Sequence, residues 1–362
     1  MSFDPKSLLD LPPFPADGYA KLADRLAAIL RTRNDVLLVQ GEAIVALEAA
    51  ATSIASPAIH ALNIVTSPYG RMFGDWLRRG GAQVRDVVAR AGLPVEAGDV
   101  GEGLAAHPRT NLVALVHAES ATGILNPLPE IAALAKARGA LLVVDAVASV
   151  GGHALDVDAL GIDVCAIGPQ KSLGGPAGVS ALSVSGAAWR AVEHADAPAA
   201  SILSLMDHRR LWLDTGRSAL PGMPSALEWH ALAAALDRFQ AGGVDAAVAR
   251  HAKAAAAARA GLPQLGAELW IADPAKASNL VTAAKLPGGV EQAAFLEAVG
   301  PASGIDAAVG VAGLVRLNHT GERARLEPVL ESLRAFGLAL AKRGVPADLA
   351  AAEQAARAAF GR

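Results

Sequence analysis

Two residues of this chain are well placed to do chemistry together: an aspartate and a lysine, each set beyond a short apolar run. Leu141 to Val144 follows Gly139-Ala140 and is closed by Asp145. Val164 to Ile167 ends the same way and delivers Lys171 just beyond it. Runs this short and apolar suit strands buried on both faces, and in an open α/β sheet ligands gather outside the carboxyl ends of the strands. One acid and one amine then meet at one site. Gly168, Pro169, Gly174, Gly175, Pro176 and Gly178 frame the lysine and hold its loop in an unusual path. A lysine that loses its proton there is a Schiff-base nucleophile. A nearby acid can pair with a protonated pyridine nitrogen, which turns a pyridoxal ring into an electron sink. Spacing alone serves equally well for a helix-capping Asp145 and a surface Lys171.

The longer motifs carry a resemblance. VVDAVASVGG followed by IDVCAIGPQKSLGGPAG, with a later Arg-x-x-His-x-Gly in LVRLNHTG, resembles the class V (fold-type I) pyridoxal-dependent aminotransferases. The similarity runs from about Val36 to Gly321 and is strongest toward the alanine–glyoxylate and serine–glyoxylate group. QGEAIVALEAA and SPYGRMFGDW look closest to the pyridoxamine–pyruvate type within it. The resemblance implies a large domain with a mostly parallel seven-stranded sheet and a smaller α+β C-terminal domain. It implies Lys171 as the aldimine lysine, Asp145 as the partner of the ring nitrogen, and Arg316 as the grip on an amino- or 2-oxo-acid carboxylate. A guanidinium suits that last job because it bonds both carboxylate oxygens at once. It also implies that Tyr69 stacks on the ring and that Gln170 stands where relatives hold a phosphate.

Gly41, Glu42 and Ala43 occupy a strand-to-helix turn, and free N–H groups at a helix start form a ready anion site. Here the turn carries its own anion, Glu42, which opposes a phosphate dianion. A glutamate that merely favours the helix dipole is the plainer reading. Ser120 and Thr122 lie beyond the strand ending at Val116, where either hydroxyl could reach the ring or simply face solvent. Met223 stands where relatives place a threonine for the neighbouring subunit's phosphate, and methionine cannot donate to phosphate. The stretch Asp306-Ala307-Ala308-Val309 holds no base, although the pyridoxamine–pyruvate type carries a basic residue shortly before its arginine.

The expected reaction is amino-group transfer between pyridoxamine (or its phosphate, as substrate or cofactor) and a small 2-oxo acid such as pyruvate, through a lysine aldimine. The competing expectation is an alanine/serine–glyoxylate-type aminotransferase with resident pyridoxal 5'-phosphate. A non-catalytic scaffold is disfavoured because Lys171, Asp145 and Arg316 are all present. The resemblance further implies a homodimer or tetramer.

Composition fits a small-molecule enzyme. The 362 residues exceed one ordinary core, and a net charge of −3 gives no reason to expect nucleic acid or membrane partners. No apolar run is long enough to span a bilayer, the N-terminus does not read as a signal peptide, and no metal is expected. Cys165, the one cysteine, excludes an internal disulfide and suits the cytoplasm. It reads as a core residue of a buried strand.

Along the chain, residues 1–15 carry four prolines and read as an extended arm. Residues 16–240 read as the large pyridoxal-binding domain and 241–362 as the small one. A repeated strand–helix rhythm from Val36 to Val184 argues for a doubly wound sheet. Ser201 to Pro224 shows no period, which favours a functional or interface role. Ser225 reads as a helix cap with Glu228 at the capping-box position. The alanine-rich Pro346 to Arg362 reads as a helix with a weak apolar face that frays.

Overall fold

The protein is described by a computed structural model covering residues 5–8 and 10–361; of the expected N-terminal arm, residues 1–4 and 9 lie outside the described residues. Pro5–Leu8 forms one 3-10 turn rather than an extended strand. The following segment lies against its own chain, with Phe14 packed on Tyr19 and His230.

The first half alternates strand and helix. The strands are β1 (Asp35–Gln40), β2 (His60–Val65), β3 (Gln83–Val88), β4 (Leu112–Val116), β5 (Leu141–Asp145), β6 (Val164–Ile167) and β7 (Val179–Val184). Helices α1 (Ala16–Leu30), α2 (Ala43–Ile54), α3 (Pro68–Arg79), α4 (Ala97–Ala106), α5 (Leu128–Arg138), α6 (Val157–Leu160) and α7 (Gly186–Val192) lie around them. The sheet order is β1-β7-β6-β5-β4-β2-β3, and only β7 runs antiparallel to its neighbours. β4, β6 and β7 are buried at every position, which is why β4 and β6 are apolar runs without alternation and β7 carries no polar residue larger than serine. β3, at the sheet edge, has no fully buried residue. The carboxyl ends of β4, β5 and β6 therefore lie side by side. Cys165 is fully buried in β6, and burial raises its thiol far above its ordinary pKa.

After α8 (Leu205–His208), α9 (Ala226–Gly242) and α10 (Val244–Gly261) the chain builds a second sheet. It comprises β8 (Glu268–Leu269), β9 (Val281–Lys285), β10 (Ile305–Ala307) and β11 (Leu314–Asn318), ordered β10-β11-β9-β8 and wholly antiparallel. Helices α11 (Gln292–Val299), α12 (Leu326–Lys342) and α13 (Leu349–Phe360) accompany it. A separate apolar core runs through this half, with Phe295 and Phe336 in edge contact at 4.7 Å between ring centres. β10 has no counterpart in the sequence reading, since three residues with one buried position carry no pattern.

Two expectations are corrected, and a segment without a sequence period proves to be ordered. The terminal helix α13 does not stand loose: Ala352 and Ala356 are fully buried, and Glu353 receives both arms of Arg334 at 2.6 and 3.0 Å. Its alanines reflect a close approach to α10 rather than a weak face. A Cβ on Gly261 would come within 2.4 Å of Leu333 and 3.2 Å of the Ala352 carbonyl. The Ser201–Pro224 segment is ordered around α8 and a π turn, Arg209–Leu213, that drives Trp212 into the main core. The Trp212 indole N–H donates to the Val36 carbonyl at 3.2 Å. Lastly, Ser225 makes no side-chain cap; Glu228 instead accepts the Gly178 N–H at 3.1 Å, tying α9 to the loop after Lys171. Among the described residues no helix is long and apolar enough to cross a membrane.

Trp212 is fully buried. Trp212→Ala is expected to lower the unfolding free energy by about 3–5 kcal/mol. Urea titration reads this as a lower midpoint at an unchanged slope.

Candidate active site

A cavity of about 320 Å³ opens at the carboxyl ends of β4 and β5. Glu42, Ala43, Tyr69, Ser120, Asp145 and Lys171 line it. These side chains come from five separate stretches of sequence, and the parallel register of β4 and β5, with Val116 opposite Asp145, brings them to one edge.

Asp145 ends β5, and its carboxylate takes one bond, from the Val147 N–H at 3.0 Å. Burial raises its pKa to about 6; the Val147 bond opposes this, Glu42 adds to it, and Lys171 opposes it. Lys171 sits in a tight turn whose backbone runs from the Gly168 carbonyl to the Gly174 N–H. Its amine has no hydrogen bond or ion pair among the described residues. Burial lowers its pKa, and the Arg316 guanidinium lowers it further, against the pull of Glu42, Asp145 and Asp306.

Glu42 does not point idly to water. It caps α2, accepting the Ile44 N–H at 2.8 Å on one oxygen and the Gln170 amide at 2.6 Å on the other. Glu42 thus occupies one donor of the helix start and engages the residue beside the lysine. Gly41 lies behind it, its carbonyl taking the Ser180 hydroxyl at 2.9 Å. Tyr69 follows Pro68 at the start of α3, where Ser67 caps the Tyr69 N–H at 3.2 Å.

Arg316 comes from β11 of the second sheet and donates to the Ser120 carbonyl, so the two halves of the chain meet at this site. Its Nε is buried without a partner. The other residues of the Arg-x-x-His-x-Gly motif hold it there. His319, kept neutral by burial, bridges the Asn279 carbonyl at 3.0 Å and the Thr282 hydroxyl at 2.9 Å. Gly321 has φ +58, and a Cβ there would meet the Lys171 carbonyl at 3.0 Å. Its N–H goes to His251, a residue that no motif pointed to.

Gly41, Gln170 and Arg316 stand behind the residues that line the cavity, and Thr122 is turned to another cleft. It is buried, its hydroxyl has no partner, and it lines a neighbouring cleft with Ser67, Trp270 and Val311 rather than the cavity of Lys171. The tight turn closed by the Gly123 N–H on the Glu119 carbonyl sends Ser120 and Thr122 to different sides.

Sequence reasoning missed Glu119, which is fully buried and lines the cavity. One of its oxygens accepts the Thr66 hydroxyl at 2.6 Å and the other has no partner. Burial raises its pKa to about 7, opposed by hydrogen bonding from Thr66 and Ser67 and reinforced by Asp145. The available signal was its place: an acid three residues past a fully buried strand, at the same sheet edge as Asp145.

The residues present fit a pyridoxal ring. The cavity has the size of a small-molecule site. It offers a half-buried carboxylate with one backbone donor, a free amine and an aromatic side chain, and Arg316 beside it has an unsatisfied N–H.

Comparison with known proteins agrees with this chemistry. Residues 19–322 match the family model of class-V aminotransferases. The pyridoxamine–pyruvate transaminase of Mesorhizobium japonicum is 33% identical over 89% of this chain and 83% of its own length. The alanine–glyoxylate aminotransferase of Callithrix jacchus is 30% identical over 87% and 78%. In three dimensions, the crystal structure of pyridoxamine–pyruvate aminotransferase from Mesorhizobium loti superposes with a TM-score of 0.89 at 31% identity, covering 98% of this chain and 93% of that one. The chain belongs to the class-V aminotransferase family and is a fold-type I, pyridoxal-dependent transaminase.

Proposed function

We propose that this transaminase exchanges an amino group between unphosphorylated pyridoxamine and a small 2-oxo acid such as pyruvate. The observation that carries the reading is the double engagement of Glu42, which takes the α2 N–H and the Gln170 amide that a phosphate would need. A phosphate dianion arriving there meets a carboxylate instead of free donors. Met223, 97% exposed and without a polar hydrogen, offers no second phosphate contact.

The bound ring supplies an electron sink for charge developing at the substrate's α-carbon. The chain's own residues do the rest. Asp145, ionised above its pKa of about 6, holds a proton on the ring nitrogen. Tyr69, in the cavity lining, would hold one face of the ring, where stacking contributes on the order of 1 kcal/mol beyond burial. Arg316, anchored on the Ser120 carbonyl at the cavity wall, receives the substrate carboxylate and fixes the acid's orientation. The Lys171 amine, its pKa lowered by burial and by Arg316, takes and returns the proton that moves during the exchange. Ala43 and Ser120 complete the wall.

The same reading assigns a homodimer in the cytoplasm. Ile202 and Leu211, 59% and 45% exposed, share the Ser201–Pro224 segment with Met223 and support a subunit contact there.

Purified protein mixed with pyruvate should convert pyridoxamine on the order of 100-fold more efficiently than pyridoxamine phosphate, since unrelieved like charge costs several kcal/mol. Glu42→Ser should narrow that ratio by about tenfold or more. A pyridoxal phosphate chromophore that survives exhaustive dialysis, together with alanine–glyoxylate exchange, would instead establish a resident cofactor.

Ring binding carries a pH signature. Below about pH 6 Asp145 takes up a proton and can no longer pair with a protonated ring nitrogen, so affinity falls as pH drops through that value. Fluorescence titration with pyridoxamine should record this loss in the wild type. Asp145→Asn should lack the inflection and bind weakly throughout.

A further inference from the structure

We propose that Asp306 sets the substrate class by rejecting 2-oxo acids that carry a second anionic group, leaving monocarboxylic acids as acceptors. The inference rests on the transfer reaction proposed above and narrows its acid partner. Asp306 lies directly opposite Arg316 in the antiparallel β10–β11 ladder. Opposed residues of such a ladder point to the same face of the sheet. Asn318, two residues beyond Arg316, shares that face and donates its amide to the Asp306 carboxylate. The aspartate is therefore held on the same side of the sheet as the guanidinium that contacts Ser120 at the cavity wall. Asp306 and Arg316 form no ion pair with each other among the described residues. Each reaches Lys171 electrostatically, with opposite effect.

The charges around the site then count as follows. Arg316 is the one guanidinium beside the cavity with an unsatisfied N–H, and Lys171 is committed to the amino-group exchange. Glu42, Glu119 and Asp145 are the acids that line the cavity, Asp306 stands opposite Arg316 beside it, and Ala307, next to Asp306, brings no charge. A first carboxylate on the substrate has Arg316. A second finds no cation other than Lys171 among the residues that line the cavity, and Asp306 stands on the same face of the sheet as Arg316. Juxtaposed like charges cost several kcal/mol where water is displaced.

The test compares pyruvate with oxaloacetate, which differs by one added carboxylate, using whichever amino donor the protein accepts. Failure of the pyridoxamine reading thus leaves the comparison intact. The wild type should favour pyruvate in kcat/KM, mainly through KM. In Asp306→Asn, whose amide retains an oxygen for Asn318, the oxaloacetate-to-pyruvate ratio should rise about tenfold or more, the equivalent of 1.4 kcal/mol. Calorimetric binding of propionate and succinate, which cannot react, should follow the same ratio. Equal use of both acids by the wild type would overturn the proposal. So would an Asp306→Asn variant that changes both acids in parallel, the signature of a purely structural contact with Asn318.

Discussion

The structure depends on placing a carboxylate and an amine, Asp145 and Lys171, around one cavity where water cannot fully serve either. Burial disfavours the charged form of each, raising the acid toward neutrality and lowering the amine. A chain tolerates such a pair only if the surrounding scaffold is rigid. Here that scaffold is the central block β4-β5-β6, whose strands are buried almost throughout and whose carboxyl ends are fixed side by side by parallel pairing. Glu119, fully buried and raised to about 7, joins the same edge. The site thus holds acids whose protonation is decided by which of them a ligand neutralises.

The second sheet matters to the chemistry because it supplies the cation. Arg316 rides on β11 and reaches across to the loop after β4. Its approach is set by neutral histidines: His319 braces β11 against β9, and His251 receives the Gly321 N–H. Gly321 in turn passes so near the lysine loop that no side chain fits. The spacing of the Arg-x-x-His-x-Gly motif therefore encodes a mechanical clamp between the two halves as well as a substrate contact. Glu42 plays the complementary part on the other side, converting an anion-binding helix start into a partly filled one.

Much of this was legible in the sequence. The central strands β4 and β6 follow from unbroken apolar runs, and the bounds expected for β3, β7 and β11 also hold although polar residues interrupt them. Asp145 and Lys171 were visible because each closes or follows such a run. Other features were not visible, for physical reasons. The weak apolar face of α13 gave no sign that its alanines meet α10 at close range, because small side chains register as low hydrophobicity rather than as tight packing. Glu228 stood at a capping-box position but bonds Gly178, a partner fifty residues away in sequence. The Ser201–Pro224 segment lacked a period because its ordering comes from one indole, Trp212, lodged in a distant core.

By itself the sequence determined the alternation of elements, the burial of the central strands and the placing of an acid and an amine beyond two strand ends. All of these follow from periods of a few residues and are local. The roles of Asp145, Lys171 and Arg316 were indicated only by the family resemblance of their motifs. Tertiary structure alone decided that Glu42 closes on Gln170, that Thr122 turns away while Ser120 faces the cavity, and that Asp306 stands opposite Arg316. Each of these depends on loop paths or on the pairing of segments far apart in the chain. Which oxygen meets which proton across such a distance is set by packing, not by the order of residues.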